Sequence, residues 1–176
     1  MSDLYRYIGN ANKSWLMRQR YKMFTPGFQY IYCFRHASRG NALKRFFFKI
    51  LLRRVMFHTG IQIPAGTQIG PGLRISHFSG IVVNPMAKIG KNFSIAQGTL
   101  IGSAQGKHKG VPTIGDNVIM SANSIVIGGI TIGDYTMIAP GAFVNFDVPP
   151  HSIVIGNPGK IIPADHPTDR YNVYRI

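Results

Sequence analysis

Acid–base chemistry in this 176-residue chain has few residues to draw on: six histidines, six aspartates and no glutamate. A side-chain general base must be His, Asp, or the less usual Lys or Tyr. His77 stands out by position. It lies in RISHFSGIVV (74–83), where a six-residue repeat loses step. An imidazole titrates near neutral pH, which suits removal of an alcohol proton. The plainer alternative for His77 is an exposed turn residue. Cys33 is the single cysteine, so no disulfide framework exists within the chain, and a reducing compartment fits. It lies outside the repeat, and no nucleophile–base pair is apparent, which argues against covalent nucleophilic catalysis.

The elements that position His77 follow from the repeat. Ile or Val recurs at 63, 69, 75, 83, 89, 95 and 101, then at 114, 126, 132, 138 and 144, with Met120 in register. Small or apolar residues often follow four places later: Thr67, Ala87, Thr99, Val118, Ser124, Thr136 and Ala142. Gly and Asx fill the turns, as in IGKN, IGDN and IGDY. A six-residue period is neither helical nor simply alternating. It predicts a β-helix in which three hexapeptides make one coil and the aliphatic residue points inward. The register breaks at 75→83 and at 101→114, and the extra residues must leave the coil there. His77, two places after inward Ile75, projects from the coil.

Residues 1–60 differ. They hold twelve Lys/Arg and one acid, Asp3, a net +11, against +3 for 61–176. TPGF (25–28) reads as a turn, preceded by a short helix in NKSWLMRQRYK. Residues 41–58 read as a helix stopped at His58-Thr59-Gly60. Arg45, Lys49 and Arg53 share one face, and Leu43, Phe46, Phe47, Ile50 and Leu51 form a broad apolar face opposite. One reading packs that face on the following domain. The other lays a basic amphipathic segment on an anionic membrane surface. The N-terminus does not resemble a signal peptide, and FFFKILLRRVMF is too short and too charged to span a bilayer. A cytoplasmic protein is expected, at the inner face of the membrane in the second reading. The expected parts are a basic, mainly helical region (1–60), a β-helix (61–162) and a tail (163–176).

Residues 61–162 resemble the hexapeptide acyltransferases, with their left-handed parallel β-helix. They are most similar to the serine O-acetyltransferase branch and the related polysaccharide O-acetyltransferases. The words that carry the likeness are GIQIPAGTQIGPGLRISHFSGIVVNPMAKIGKN, SIAQGTLIG, VPTIGDNVIMSANSIVIGGITIGD and VPPHSIVIGNPGKII. The resemblance implies a homotrimer with acetyl-CoA, as co-substrate, in the cleft between neighbouring β-helices. It makes His77 the general base for direct transfer to an acceptor hydroxyl. It places Gly102, Ser103 and Ala122 along the pantetheine channel and Lys160 beside the cofactor. Ordinary coil packing is the alternative for Gly102 and Ala122, and a solvated surface lysine is the alternative for Lys160.

Departures from the family pattern shape the expected acceptor. Where the serine enzymes pair an aspartate with the histidine, fifteen residues earlier, this chain has Gln62. Where they place an aspartate just before the histidine, it has Ser76. A second family histidine is replaced by Val111, with His108 three residues earlier in SAQGKHKGV. An amide can orient an imidazole but cannot stabilise imidazolium by charge. Gln62, Ser76 and His108 are therefore the acceptor-site candidates. A saccharide hydroxyl, on a small molecule or a lipid-linked surface-polysaccharide precursor, is the leading expectation, and serine O-acetylation for cysteine biosynthesis is the alternative. A zinc enzyme on this fold would need three converging histidines, and His77, His108 and His151 lack that spacing. Neither a metal nor nucleic acid is expected, since the charge lies on the appendage while the β-helix keeps the catalytic word.

Overall fold

The computed structural model describes residues 2–9 and 15–176. Four helices come first: α1 (Ser2–Ile8), α2 (Trp15–Phe24), α3 (Pro26–Ala37) and α4 (Ala42–Thr59). Of NKSWLMRQRYK, Asn12 to Ser14 lie outside the described residues, and the rest forms α2. TPGF is a helix start rather than a turn. Thr25 is the N-cap, with extended backbone, and Pro26 opens the first turn of α3, where its missing N–H costs nothing. α4 begins at Asn41, whose side chain accepts from Lys44 N, and ends at Gly60 in the left-handed conformation at φ 66°.

From Ile61 the chain winds a left-handed parallel β-helix with three sheets. Sheet A stacks β1 (Ile61–Gln62), β4 (Ile81–Val83), β7 (Leu100–Gly102), β10 (Ile125–Ile127) and β13 (Phe143–Val144). Sheet B stacks β2 (Gln68–Ile69), β5 (Lys88–Ile89), β8 (Thr113–Ile114) and β11 (Thr131–Ile132). Sheet C stacks β3 (Arg74–Ile75), β6 (Ser94–Ile95), β9 (Ile119–Met120), β12 (Met137–Ile138) and β14 (Ser152–Ile155), closed by antiparallel β15 (Lys160–Pro163). Each coil is thus a triangle of short strands, and the stack is a prism with three corners.

Every aliphatic position of the repeat, Met120 included, is buried, and so is every small residue four places on. The turns explain the Asx and Gly usage. Asn92, Asn117 and Asn123 sit at φ 55–59°, where a short polar side chain is tolerated. Gly70 is required by stacking: a Cβ there would lie 2.7 Å from the Gly90 carbonyl of the next coil.

The helices cap the open end of the first coil with side chains. Asp3 Oδ1 accepts from Gly72 N and Leu73 N, at 2.9 and 2.8 Å. Arg35 donates to Ile69 O and Gly70 O, both at 2.6 Å, and pairs with Asp3. Tyr30 serves Ile63, and Tyr7 serves Ile75. These groups satisfy strand edges that would otherwise be unpaired. Gly27 lets α3 approach, since a Cβ there would stand 2.8 Å from Ile75 O.

α4 corrects one expectation. The face of Leu43, Phe46, Phe47 and Ile50 is not packed on the following domain; these residues are exposed. Leu52 and Thr59 are buried instead, with Phe48, Leu51, Val55 and Met56 packed beside them. The packed side of α4 lies chiefly against α3, a helix the sequence reading missed, and also meets β1 of the first coil.

Candidate functional site

His77 stands on the corner between sheets C and A, in the first coil. The break in the repeat is located there. Ile61 pairs with Ile81, twenty residues on, whereas Val82 pairs with Leu100, eighteen on. The two extra residues are taken up at Ser79 and Gly80, with φ 97° and 64°. Ser79 carries a side chain in a region L residues rarely occupy, a local strain of about 1–3 kcal/mol. The corner is held from both sides. Gly98 N donates to Ser79 O at 2.9 Å, and Gly60 of the α4 cap abuts Ser79 and Gly80. Ser76, His77 and Phe78 all face outward, exposed, and His77 has no side-chain partner among the described residues. The imidazole is accessible, on a corner whose backbone is fixed.

The other candidates divide between two corners. On the C/A corner, Gln97 O accepts from Asn123 N and Ala122 O from Gly141 N. Ala122 therefore lies two rungs above His77, a rise of about 10 Å. Lys160 sits at the top of the same edge, paired with Ile155 and exposed. On the opposite edge of sheet A, Gly102 ends β7 and Ser103 enters the second excursion. That loop is closed by a bridge between Ala104 and Gly110 and anchored where His108 O accepts from Gly129 N at 2.8 Å. Within one chain His108 and His77 are thus not brought together; they stand on different corners and different coils. His151 occupies the third corner, stacked on Tyr135 with ring centroids 5.1 Å apart.

Gln62 projects from β1, exposed, into the wall of a cavity of about 330 Å³ that Lys49 and Arg53 of α4 also line. Two cations therefore flank the position where the resembling enzymes place an aspartate. Gln97 is a residue the sequence reading missed. It is half-buried on the His77 corner, one coil up, and its Oε1 is buried without a hydrogen-bond partner among the described residues. Its signal was a polar residue at a turn position filled by small residues in other coils.

Residues 112–145 match the family model described as bacterial transferase hexapeptide (six repeats). A serine acetyltransferase of Helicobacter pylori is 36% identical over 144 residues, covering 80% of this chain and 83% of that protein. The chain belongs to the serine acetyltransferase family. Another serine acetyltransferase, from Staphylococcus xylosus, is 40% identical over 119 residues, 66% of this chain and 55% of its own length. The serine acetyltransferase of Neisseria gonorrhoeae in complex with serine superposes with a TM-score of 0.71 at 30% identity, covering 90% of this chain and 64% of that one. The Vibrio cholerae serine acetyltransferase, at 24% identity and TM-score 0.77, covers 99% of this chain and 69% of that one and shares the fold.

Proposed function

We propose that the chain transfers acetyl from acetyl-CoA to an alcohol hydroxyl, with His77 as general base, in a cleft between subunits of a homotrimer. The observation that carries this reading is the exposed His77 on its fixed corner, in a chain of this family. The imidazole takes the hydroxyl proton as the oxygen attacks the thioester carbonyl. The tetrahedral intermediate then expels the CoA sulfur, which receives the proton from the imidazolium. Acetyl-CoA is a co-substrate, and no step needs a metal.

The three outer faces support the trimer. Sheet B presents Gln68, Lys88, Thr113 and Thr131 to solvent. Sheet C is partly covered by the chain's own tail, where Asn172 contacts Ser94. Sheet A presents Val82, Leu100, Ile125 and Phe143 in one ladder, half-buried in a single chain. An apolar face of this kind calls for a partner. Three copies packed through sheet A set the C/A corner of each against the A/B corner of its neighbour. That arrangement turns His77 and Ala122 toward the neighbouring subunit's Ser103 and His108.

The serine acetyltransferase relatives support serine as the acceptor over the saccharide expected from the sequence. One specific observation favours the saccharide as a second reading. Among the described residues Asp147 is the only carboxylate on either corner, and it lies on the fifth coil, where its Oδ1 accepts from Thr131 N. Four rungs separate it from His77, about 19 Å. No carboxylate is therefore placed to hold a serine ammonium near His77, while Lys49 and Arg53 suit an acceptor bearing an anionic group. CoA thiol release with serine, and with a panel of sugars and nucleotide sugars, decides between them. Turnover with serine alone selects serine. Turnover with sugars alone selects the saccharide. Absence of transfer to any hydroxyl rejects the function.

A further inference from the structure

The structure assigns the outward face of α4 to an anionic lipid surface. At 3.6 residues per turn, Leu43, Phe46, Ile50 and Phe57 fall within an arc of about 60°. They are 77, 64, 56 and 71% exposed. The arc is centred about 180° from the packed side of Leu52, Val55 and Thr59. The helix is thus apolar on two opposite faces, and only one is used by the fold. Lys49 and Arg53 flank the free stripe on one side and Arg54 on the other, with Lys44 and Arg45 farther round the helix, exposed beside the packed side. α4 contains no acid. Arg53 lies over the Phe57 ring, 5.9 Å from its centroid. α2, which packs on α3, repeats the composition, with Trp15, Leu16 and Phe24 exposed at 70–72% and no acidic residue.

Charge decides the occupant. A second copy docked on this stripe would bring Lys49, Arg53 and Arg54 against their like, with no acid on α4 to neutralise them. Anionic headgroups match the flanks, and the stripe enters the acyl boundary. The helix, about 27 Å long, would lie along the surface, since no helix among the described residues is long and apolar enough to cross a membrane. α4 ends at Gly60, against Ser79 and Gly80, so the His77 corner would be held beside the lipid. That last consequence, an acceptor presented at the membrane, rests on the catalytic reading above; the surface itself does not.

Flotation of the full chain with vesicles tests it. Binding is expected to phosphatidylcholine vesicles carrying about one-third phosphatidylglycerol, and roughly tenfold or more weaker to phosphatidylcholine alone. The triple variant Phe46→Ser, Ile50→Ser, Phe57→Ser should lose binding while keeping its circular dichroism and CoA thiol release. The variant Lys49→Gln, Arg53→Gln, Arg54→Gln should lose the preference for anionic vesicles, and it leaves the apolar stripe intact should the first misfold. Failure of the native chain to float, or flotation undiminished in both variants, overturns the assignment. So does a stripe variant whose only change is a smaller oligomer, or one whose only loss is binding to RNA. Because the readout is binding, a failure here leaves the acetyl-transfer reading standing, and the reverse also holds.

Discussion

The Tyr30 hydroxyl donates to the Ile63 carbonyl and accepts from the Ile63 amide, at 2.9 Å in each direction. One phenol thereby supplies both halves of the ladder that a preceding coil would have supplied. Tyr7 does the same for Ile75, at 2.9 and 2.8 Å. Tyr30→Phe should cost about 1–3 kcal/mol, because it strands a buried donor and acceptor while changing little volume. Urea unfolding checks this. Burial pushes the Tyr30 phenol up to about 12, from 10.0 when unfolded. Between those values the unfolded state has released the proton and the folded state has not. Stability from this group is therefore complete below pH 10 and falls as the pH rises toward 12. Tyr30→Phe should flatten that part of the alkaline decline.

Arg6 and Asn172 lock the C-terminal tail onto the β-helix. Both side chains are buried, and Arg6 Nη2 donates to Asn172 Oδ1 at 2.7 Å. The guanidinium also reaches Gly72 O, Tyr174 O and Ser94 Oγ, yet among the described residues no carboxylate pairs with it. Burial, followed by nearby Arg74, lowers it from 12.5 to about 10. Asn172→Ala removes an acceptor from a buried cation and should cost about 3 kcal/mol. Faster proteolysis of the tail, alongside a lowered Tm, is the expected readout.

Leu100→Lys combined with Ile125→Lys places two cations in the outer ladder of sheet A, at positions half-buried in a single chain. Light scattering should show trimers replaced by monomers. Circular dichroism should be unchanged, and acetyl transfer should be lost although His77 is intact. A trimer that survives both substitutions would move the interface to another face.

Gln62→Asp puts a carboxylate at an exposed position of β1, in the cavity wall that Lys49 and Arg53 also line. Ser76→Asp puts a carboxylate one residue before His77, at an exposed position. The double variant should increase the preference for serine over sugars by roughly tenfold, the scale of one charge-assisted contact. An unchanged ratio would show that the acceptor's amine is not read at these positions.

The β-helix was legible because its signal repeats. A buried Ile or Val every sixth residue, with Asx or Gly at the left-handed turns, leaves little other choice, and both register breaks fall where the chain leaves the coil. The helices were harder to read. α4 is apolar on two faces, so its sequence pattern does not say which face is packed. α3, in PGFQYIYCFRHA, opens with Pro-Gly, which reads as a turn until Thr25 is seen to cap it. The capping set of Asp3, Tyr7, Tyr30 and Arg35 had no local pattern, because each partner lies at least 32 residues away in sequence. His77 is proposed from its place at the break and from the family words around it. No orienting group is legible for it, and among the described residues the imidazole has no side-chain partner.

The central claim is that His77 removes the acceptor proton. His77 is exposed, so His77→Ala and His77→Gln should leave the fold and acetyl-CoA binding unchanged. CoA thiol release with the best acceptor should fall by about 10²–10⁴ in kcat. Either variant turning over within a few-fold of the native chain would contradict the account.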